Sequence, residues 1–411
     1  MGGDLINPSG STLQLTGSGA VSIGGITTNS GTITKSATGN TTFTGIVTNA
    51  LTGTINQSAT SGTMTFDAAA GQANLGTINQ TSGGNIVFSG ALNNSGSILQ
   101  SNTGTGTLGV TGVLTNSGTI TKSGTGAFTF TATGATNSSA GTITNGNATG
   151  GINFTNSFDN SGALKPTTGP VTVNGIFTNT STGVVTIGSG TLTLNSTTPS
   201  NAGTITSTGL IDINGSTSFT NSGTINITSG TTTISSPTFT NTSAGIFTSA
   251  GNVNFDGAIA QAINNNNTST AIIFKDLVLS GGAFTKTLGG TGKFRISSTG
   301  SIEFTTPNTI LAAGTAILTL SSDANGSSTV KTLLAGNSIT GTVNVERYLT
   351  GGDSYSRGYR LLSSPVSVSN SSLILPNLSY IKTLLIYQVP VVPPMDLMLP
   401  VTQPYIFTAK T

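Results

Sequence analysis

Asn29-Ser-Gly31-Thr-Ile-Thr34 leads through a turn at Ala37-Thr-Gly-Asn40 into Thr41-Thr-Phe-Thr44, Gly45 and Ile46-Val-Thr48, and Asn49 then restarts the pattern. An asparagine, a glycine two or four residues later and a Thr-Ile or similar pair recur at Asn29, Asn49, Asn74, Asn94, Asn116, Asn137, Asn160, Asn179, Asn201, Asn221 and Asn241. The matching glycines are Gly31, Gly53, Gly76, Gly96, Gly118, Gly141, Gly162, Gly183, Gly203, Gly223 and Gly245, spaced 20 to 23 residues apart. A period of about 21 residues is too short for a helical hairpin repeat and suits one turn of a β-solenoid.

Within each period, apolar residues alternate with Thr or Ser, as half-buried strands require when successive side chains point to opposite faces. Three short strands and three turns fit one coil, with Ile33, Phe43 and either Ile46 or Val47 turned inward. The same places return as Ile120, Phe128 with Phe130, and Val113 or Leu114, then as Ile225, Ile234 and Phe239. The expected fold is all-β: a right-handed parallel β-solenoid over residues 1–255 with an irregular β continuation over 256–349. Eleven such coils make a rod on the order of 50 Å long. The coil glycines read as corner residues with positive φ, and the change of gap between two and four residues reads as a turn that accepts two extra residues. The Asn column reads as a structural ladder at one corner, each amide bonding its own turn and the next coil; a ligand-binding Asn ridge is the alternative.

Composition narrows the function. The chain has 411 residues, 57 glycines and only 6% charged residues, with a net charge of +2 and no run of Lys or Arg. A phosphate-tracking groove needs such a run, so nucleic acid is not an expected partner. There is no Cys and no His, which removes thiolate and imidazole chemistry, disulfides and the usual zinc ligands. Neither a basic n-region nor an apolar h-region stands at Met1-Gly-Gly-Asp4 and after it, so no secretory signal is read here.

Gly104-Thr-Gly106-Thr-Leu-Gly109 has dinucleotide-fingerprint spacing but no helical pattern after it, so it reads as coil. Thr32 and Thr34, Thr54 and Asn56, Thr77 and Asn79, Thr119 and Thr121, Thr142 and Thr144, and Thr204 and Thr206 recur after the coil glycine. Such ranks resemble the ice-binding faces of Thr-rich antifreeze solenoids; the simpler reading is the β-branched preference of outward strand positions. Polysaccharide lyases also use β-helices, yet they cluster carboxylates for Ca²⁺ beside a basic residue. Here Asp67, Asp159, Asp212, Lys35, Lys122 and Lys165 fall on separate coils, and no catalytic, metal or cofactor residues are assigned. Asp323-Ala-Asn325-Gly326 shares part of a Ca²⁺-loop pattern but reads as a hairpin turn.

After Asn252 the period loosens and charge rises. Gly341-Thr-Val-Asn-Val-Glu-Arg347-Tyr-Leu, followed by Tyr359-Arg360-Leu-Leu-Ser-Ser-Pro365-Val, resembles the segment after the repeats of large secreted surface proteins of Bacteroidetes-type bacteria. The repeats resemble the adhesin-like solenoids of those proteins. That resemblance implies an extracellular stalk or adhesive segment, exported by the type IX route, with surface glycans or other cell-surface ligands as partners and no catalytic residues. Glu346, Arg347, Arg357 and Arg360 are read as ion-pairing residues at a module boundary.

The four prolines Pro390, Pro393, Pro394 and Pro400 with Asp396 rule out a membrane helix in the apolar stretch after Leu384, so no transmembrane segment is expected. Residues 350–383 read as the start of a following module. No glycine follows Gly358, and Ile386–Lys410 read in another frame permits the Gly-rich continuation expected from the resemblance. Residues 384–411 are therefore expected to be a frameshift product. Open strand edges at a solenoid end predict end-to-end self-association.

Overall fold

A computed structural model describes residues 2–348 and the backbone of the strand Tyr405–Ala409. The expected module start at 350–383 and the Pro-rich part of the expected frameshifted tail lie outside these residues. One coil contains Thr27–Asn29, Thr32–Lys35 and Thr41–Phe43; the next contains Val47–Asn49, Thr54–Gln57 and Thr63–Phe66. Each strand pairs in parallel with its counterpart: Thr27 with Val47, Thr32 with Thr54, Thr41 with Met64. The chain is a parallel β-solenoid with three faces per coil, and no described residue is helical. The strands after the coil glycine form the first face, those carrying Phe43 the second, and those ending in the repeat asparagine the third.

The third face is one sheet of 16 strands. At about 4.8 Å per strand the stack is roughly 70 Å long, longer than the eleven glycine-marked coils imply, because coils at both ends lack the Asn-Gly signature. Antiparallel pairs occur among the described residues only near the C-terminal end, at Ser322–Asp323 with Gly326–Ser327 and at Val343–Arg347 with Tyr405–Ala409.

Burial decides between the alternatives left open for the inward residues. Ile33 and Phe43 are 0% exposed and Val47 2%, whereas Ile46 is 37% exposed; Leu114 is 0% and Val113 47%. Val47 and Leu114 lie two residues before the ladder asparagine, so both side chains point to the same side of the strand. Stacking aligns like with like: Phe43, Phe66 and Phe88 sit with ring centroids 5.2 and 4.7 Å apart and Phe130 and Phe154 at 4.7 Å, while Phe158 of the third face stacks on Phe154 across the core at 4.0 Å. One continuous apolar core results.

The coil glycines require a correction. None of the eleven has positive φ. A Cβ at Gly96 would run into the Gly76 carbonyl, and one at Gly118 into the Gly96 carbonyl. These glycines are therefore fixed by the close approach of stacked backbones, not by handedness. The gap length has a simple basis. With a gap of two, Ser30 and Gly31 N–H both bond the Asn7 carbonyl of the adjoining coil. With a gap of four, the two extra residues make a turn closed by Gly53 N to Ala50 O at 2.8 Å, repeated at Gly141, Gly183 and Gly245.

Beyond Phe255 the corner between the first two faces disappears. Ile272–Leu279 and Lys293–Phe304 each run across both faces as a single strand, and their pairing shifts register between Phe274 and Asp276.

Candidate functional site

The third-face asparagines form one file of amides. Asn7, Asn29, Asn49, Asn74, Asn94, Asn116 and Asn137 each donate Nδ2 to Oδ1 of the asparagine one coil further on, at 2.6 to 2.8 Å. The file continues from Asn160 through Asn179, Asn201, Asn221 and Asn241 to Asn265, at 2.7 to 3.0 Å. All these bonds run in one direction. Asn49 also donates to Gly53 O of its own turn at 3.2 Å and to Thr77 O of the next coil at 3.1 Å. Every one of these asparagines is at most 5% exposed. A buried amide needs such partners, and with them made, the column offers no free face to a ligand.

Sequence reasoning missed both ends of this file. Asn7 is followed by Pro8-Ser9-Gly10-Ser11, so a serine occupies the place of the coil glycine. Asn265 has no glycine two or four residues later, and in the next coil the pairing of Asn264 with Gly289 sets Gly290 in the file's place, which ends it.

A second buried polar column was also missed. The fourth residue of the first-face strand runs Lys35, Gln57, Gln80, Gln100, Lys122 and Asn145 in register, and each is 0 or 1% exposed. These side chains donate to carbonyls at the next corner: Gln80 Nε2 to Gly84 O at 2.7 Å and Thr107 O at 2.9 Å, Asn145 Nδ2 to Gly150 O at 2.9 Å, and Lys122 Nζ to Gly124 O. The repeated endings Thr-Ile-Thr-Lys, Thr-Ile-Asn-Gln and Ser-Ile-Leu-Gln were its signal. Burial lowers the Lys122 ammonium from 10.5 to about 8 and lowers Lys35 in the same direction. Lys286 is likewise lowered by burial to about 8, opposed by the charge of Asp256, and donates to Gly257 O and Gln261 Oε1 at 2.7 Å each.

The threonine pairs face outward on the first face. Thr32, Thr54 and Thr77 align on consecutive coils, as do Thr119 with Thr142, Thr121 with Thr144, and Thr204 with Thr224 and Thr206 with Asn226. Ser97 and Leu99 interrupt the ranks, and Ala163 and Lys165 do so again. Neighbouring outward groups also bond each other, as Asn79 Nδ2 does to Asn56 Oδ1 at 2.9 Å.

The remaining candidates stay apart. Asp67 is exposed on one coil and Asp159 and Lys165 on two different faces of another, while Lys35 and Lys122 are inside. Gly104 and Gly106 lie outside strands and Gly109 lies within Leu108–Val110, with no helix to receive a phosphate. Asp323 and Gly326 close a two-residue hairpin. Among the described residues no group of three or more His, Cys, Asp or Glu could hold a metal ion, and no helix is long and apolar enough to cross a membrane. Glu346, 3% exposed, pairs through both carboxylate oxygens with Arg295 Nη2 at 2.9 and 3.0 Å and accepts Ser322 N–H at 3.3 Å. No protein-family model and no curated protein matches the chain.

Proposed function

We propose that this chain is a non-catalytic, extracellular structural or adhesive segment of a bacterial surface protein, its rod holding a binding surface away from the cell. The observation that carries this reading is the direction of the chemistry: buried amides and ammonium groups bond to the protein itself, while the first face repeats outward Thr and Asn over runs of consecutive coils. Repetition of that kind favours recognition spread over many weak contacts, and surface glycans are the partner class it fits. The adhesin-like resemblance and type IX export belong to the same proposal. Surface labelling of intact producing cells tests it: label on intact cells supports the reading, and label only after lysis overturns it. A glycan panel offered to the purified chain reads out partner class, and release of unsaturated sugars would instead establish an enzyme.

A second reading, ice binding, draws on the register of Thr32, Thr54 and Thr77 on three consecutive coils. Thermal hysteresis that disappears in Thr32→Tyr or Thr119→Tyr would favour it; absence of hysteresis in the parent chain rules it out.

A further inference from the structure

The hairpin Ser322–Asp323 with Gly326–Ser327 joins Ile317–Leu320 to Thr329–Val330 and lies against Ser298, with Asp323, Ala324 and Asn325 exposed at its tip. Asn325 precedes a glycine, as do Asn145, Asn174 and Asn214. From the different settings of these four pairs we infer that Asn325 is a site of spontaneous deamidation, and that the other three are held against it.

The reaction needs the next residue's backbone nitrogen to reach the asparagine Cγ, which a glycine allows because it carries no Cβ. At Asn325 the Gly326 N–Cγ bond forms, the Cγ–Nδ2 bond breaks, and ammonia leaves with the proton that Gly326 gives up. Water then opens the five-membered imide at either carbonyl, yielding aspartate or isoaspartate. The Asp323 carboxylate stands beside this group: Asn325 N donates to its Oδ1 at 2.7 Å. Hydrogen bonds from Ser298, Asn325 and Gly326 hold that carboxyl below its usual range and keep it next to the Gly326 N–H.

The other pairs are tied down. Asn145 is 0% exposed, its Nδ2 bonds Gly150 O and Pro170 O at 2.9 and 2.8 Å, and Gly146 N bonds Lys122 O at 2.8 Å. Asn214 bonds through both amide atoms, to Asn195 and Asp212 by Nδ2 and from Ser235 at Oδ1. Asn174 Oδ1 accepts from Asn195 Nδ2 at 2.8 Å, and Gly175 lies directly against the Asn156 backbone. Reaction at Asn145 requires opening the coil first; at Asn214, and at Asn174, which is exposed, it requires breaking the amide's bonds to the adjoining coil.

An isoaspartate adds a backbone atom to a two-residue loop and so disturbs the base of the hairpin. That base holds Ser322, whose Oγ contacts Ser327 Oγ at 2.6 Å and accepts Tyr348 N–H at 2.9 Å, while its own N–H reaches Glu346.

The test incubates the native chain at 37 °C and mildly alkaline pH beside a urea-unfolded sample, with peptide mapping by mass spectrometry over time. The expected result is replacement of amide nitrogen by oxygen at Asn325, about tenfold or more faster than at the other three sites, since protected sites react only through local opening. In the unfolded sample the four rates converge. Asn325→Gln removes the change at that position. Native rates that are equal at all four sites, or an Asn325 slower in the native than in the unfolded chain by as much as Asn145 is, would overturn the inference.

Discussion

The amide of Asn116 is enclosed on every side: it accepts from Asn94 at 2.7 Å, donates to Asn137 at 2.8 Å and donates to Gly118 O at 3.2 Å. Asn116→Ala leaves one buried donor and one buried acceptor without partners, and each such group costs about 1–3 kcal/mol. Urea unfolding of the variant is expected to show a loss of roughly 2–6 kcal/mol on the same basis; a loss below about 1 kcal/mol would show that the amide file contributes little beyond packing. The buried lysines make a different kind of prediction. Lys122 and Lys286 have folded-state values of about 8 against 10.5 in the open chain. Between those values the unfolded chain binds more protons, so stability rises with pH across that window and gains nothing further above it. Melting temperatures recorded from pH 7 to pH 10 should climb, and Lys122→Met should flatten the climb by removing one titrating group.

At the scale of the coil, glycine does two opposite things. Gly118 lies against the Gly96 carbonyl, so Gly118→Ala must push two coils apart, with an expected cost of about 1–3 kcal/mol for overpacking. Gly109 instead occupies an outward strand position between Val87 and Thr129, and a Cβ there meets nothing within 4 Å. Gly109→Thr should therefore stabilise by up to about 1 kcal/mol through strand preference and a stiffer unfolded chain. Opposite signs from the two variants in the same denaturation assay are the expected outcome; a gain from Gly118→Ala would contradict the stacked-carbonyl account. This contrast also shows what could be read from the sequence. The period, the inward Ile33 and Phe43, and the asparagine column were legible because stacking repeats one environment many times. The reason for the glycines was not, since close approach to the next coil leaves the same sequence mark as a left-handed corner. The Gln57, Gln80, Gln100 and Lys122 column was overlooked because long polar residues at a strand end resemble solvated ones, and only the closed corner shows that carbonyls face them.

Along the regular coils, stability follows from neighbours, because each coil packs on the coils above and below it. The repeat asparagines bind coil to coil as far as Asn265, and beyond it the stack relies on longer strands and on charge. Arg295 on the long strand Lys293–Phe304 reaches Glu346 on Val343–Arg347, and that carboxylate also accepts from Ser322 at the foot of the hairpin. The Glu346 side chain is 4% exposed and the Arg295 side chain 41%. Arg295→Ala strands a buried carboxylate, which ordinarily costs about 3–5 kcal/mol; with the arginine side partly in water, roughly 1–3 kcal/mol is expected. Because coupling reaches no further than the next coil or two, that loss should stay local. Hydrogen exchange in Arg295→Ala is expected to accelerate through Ile317–Leu320 and Val343–Arg347 while Thr119–Lys122 keeps its protection. Asn116→Ala should do the reverse, loosening the middle coils and sparing the charged end. If either variant instead raised exchange uniformly along the stack, the rod would be one cooperative unit, and it would yield to load all at once and not coil by coil.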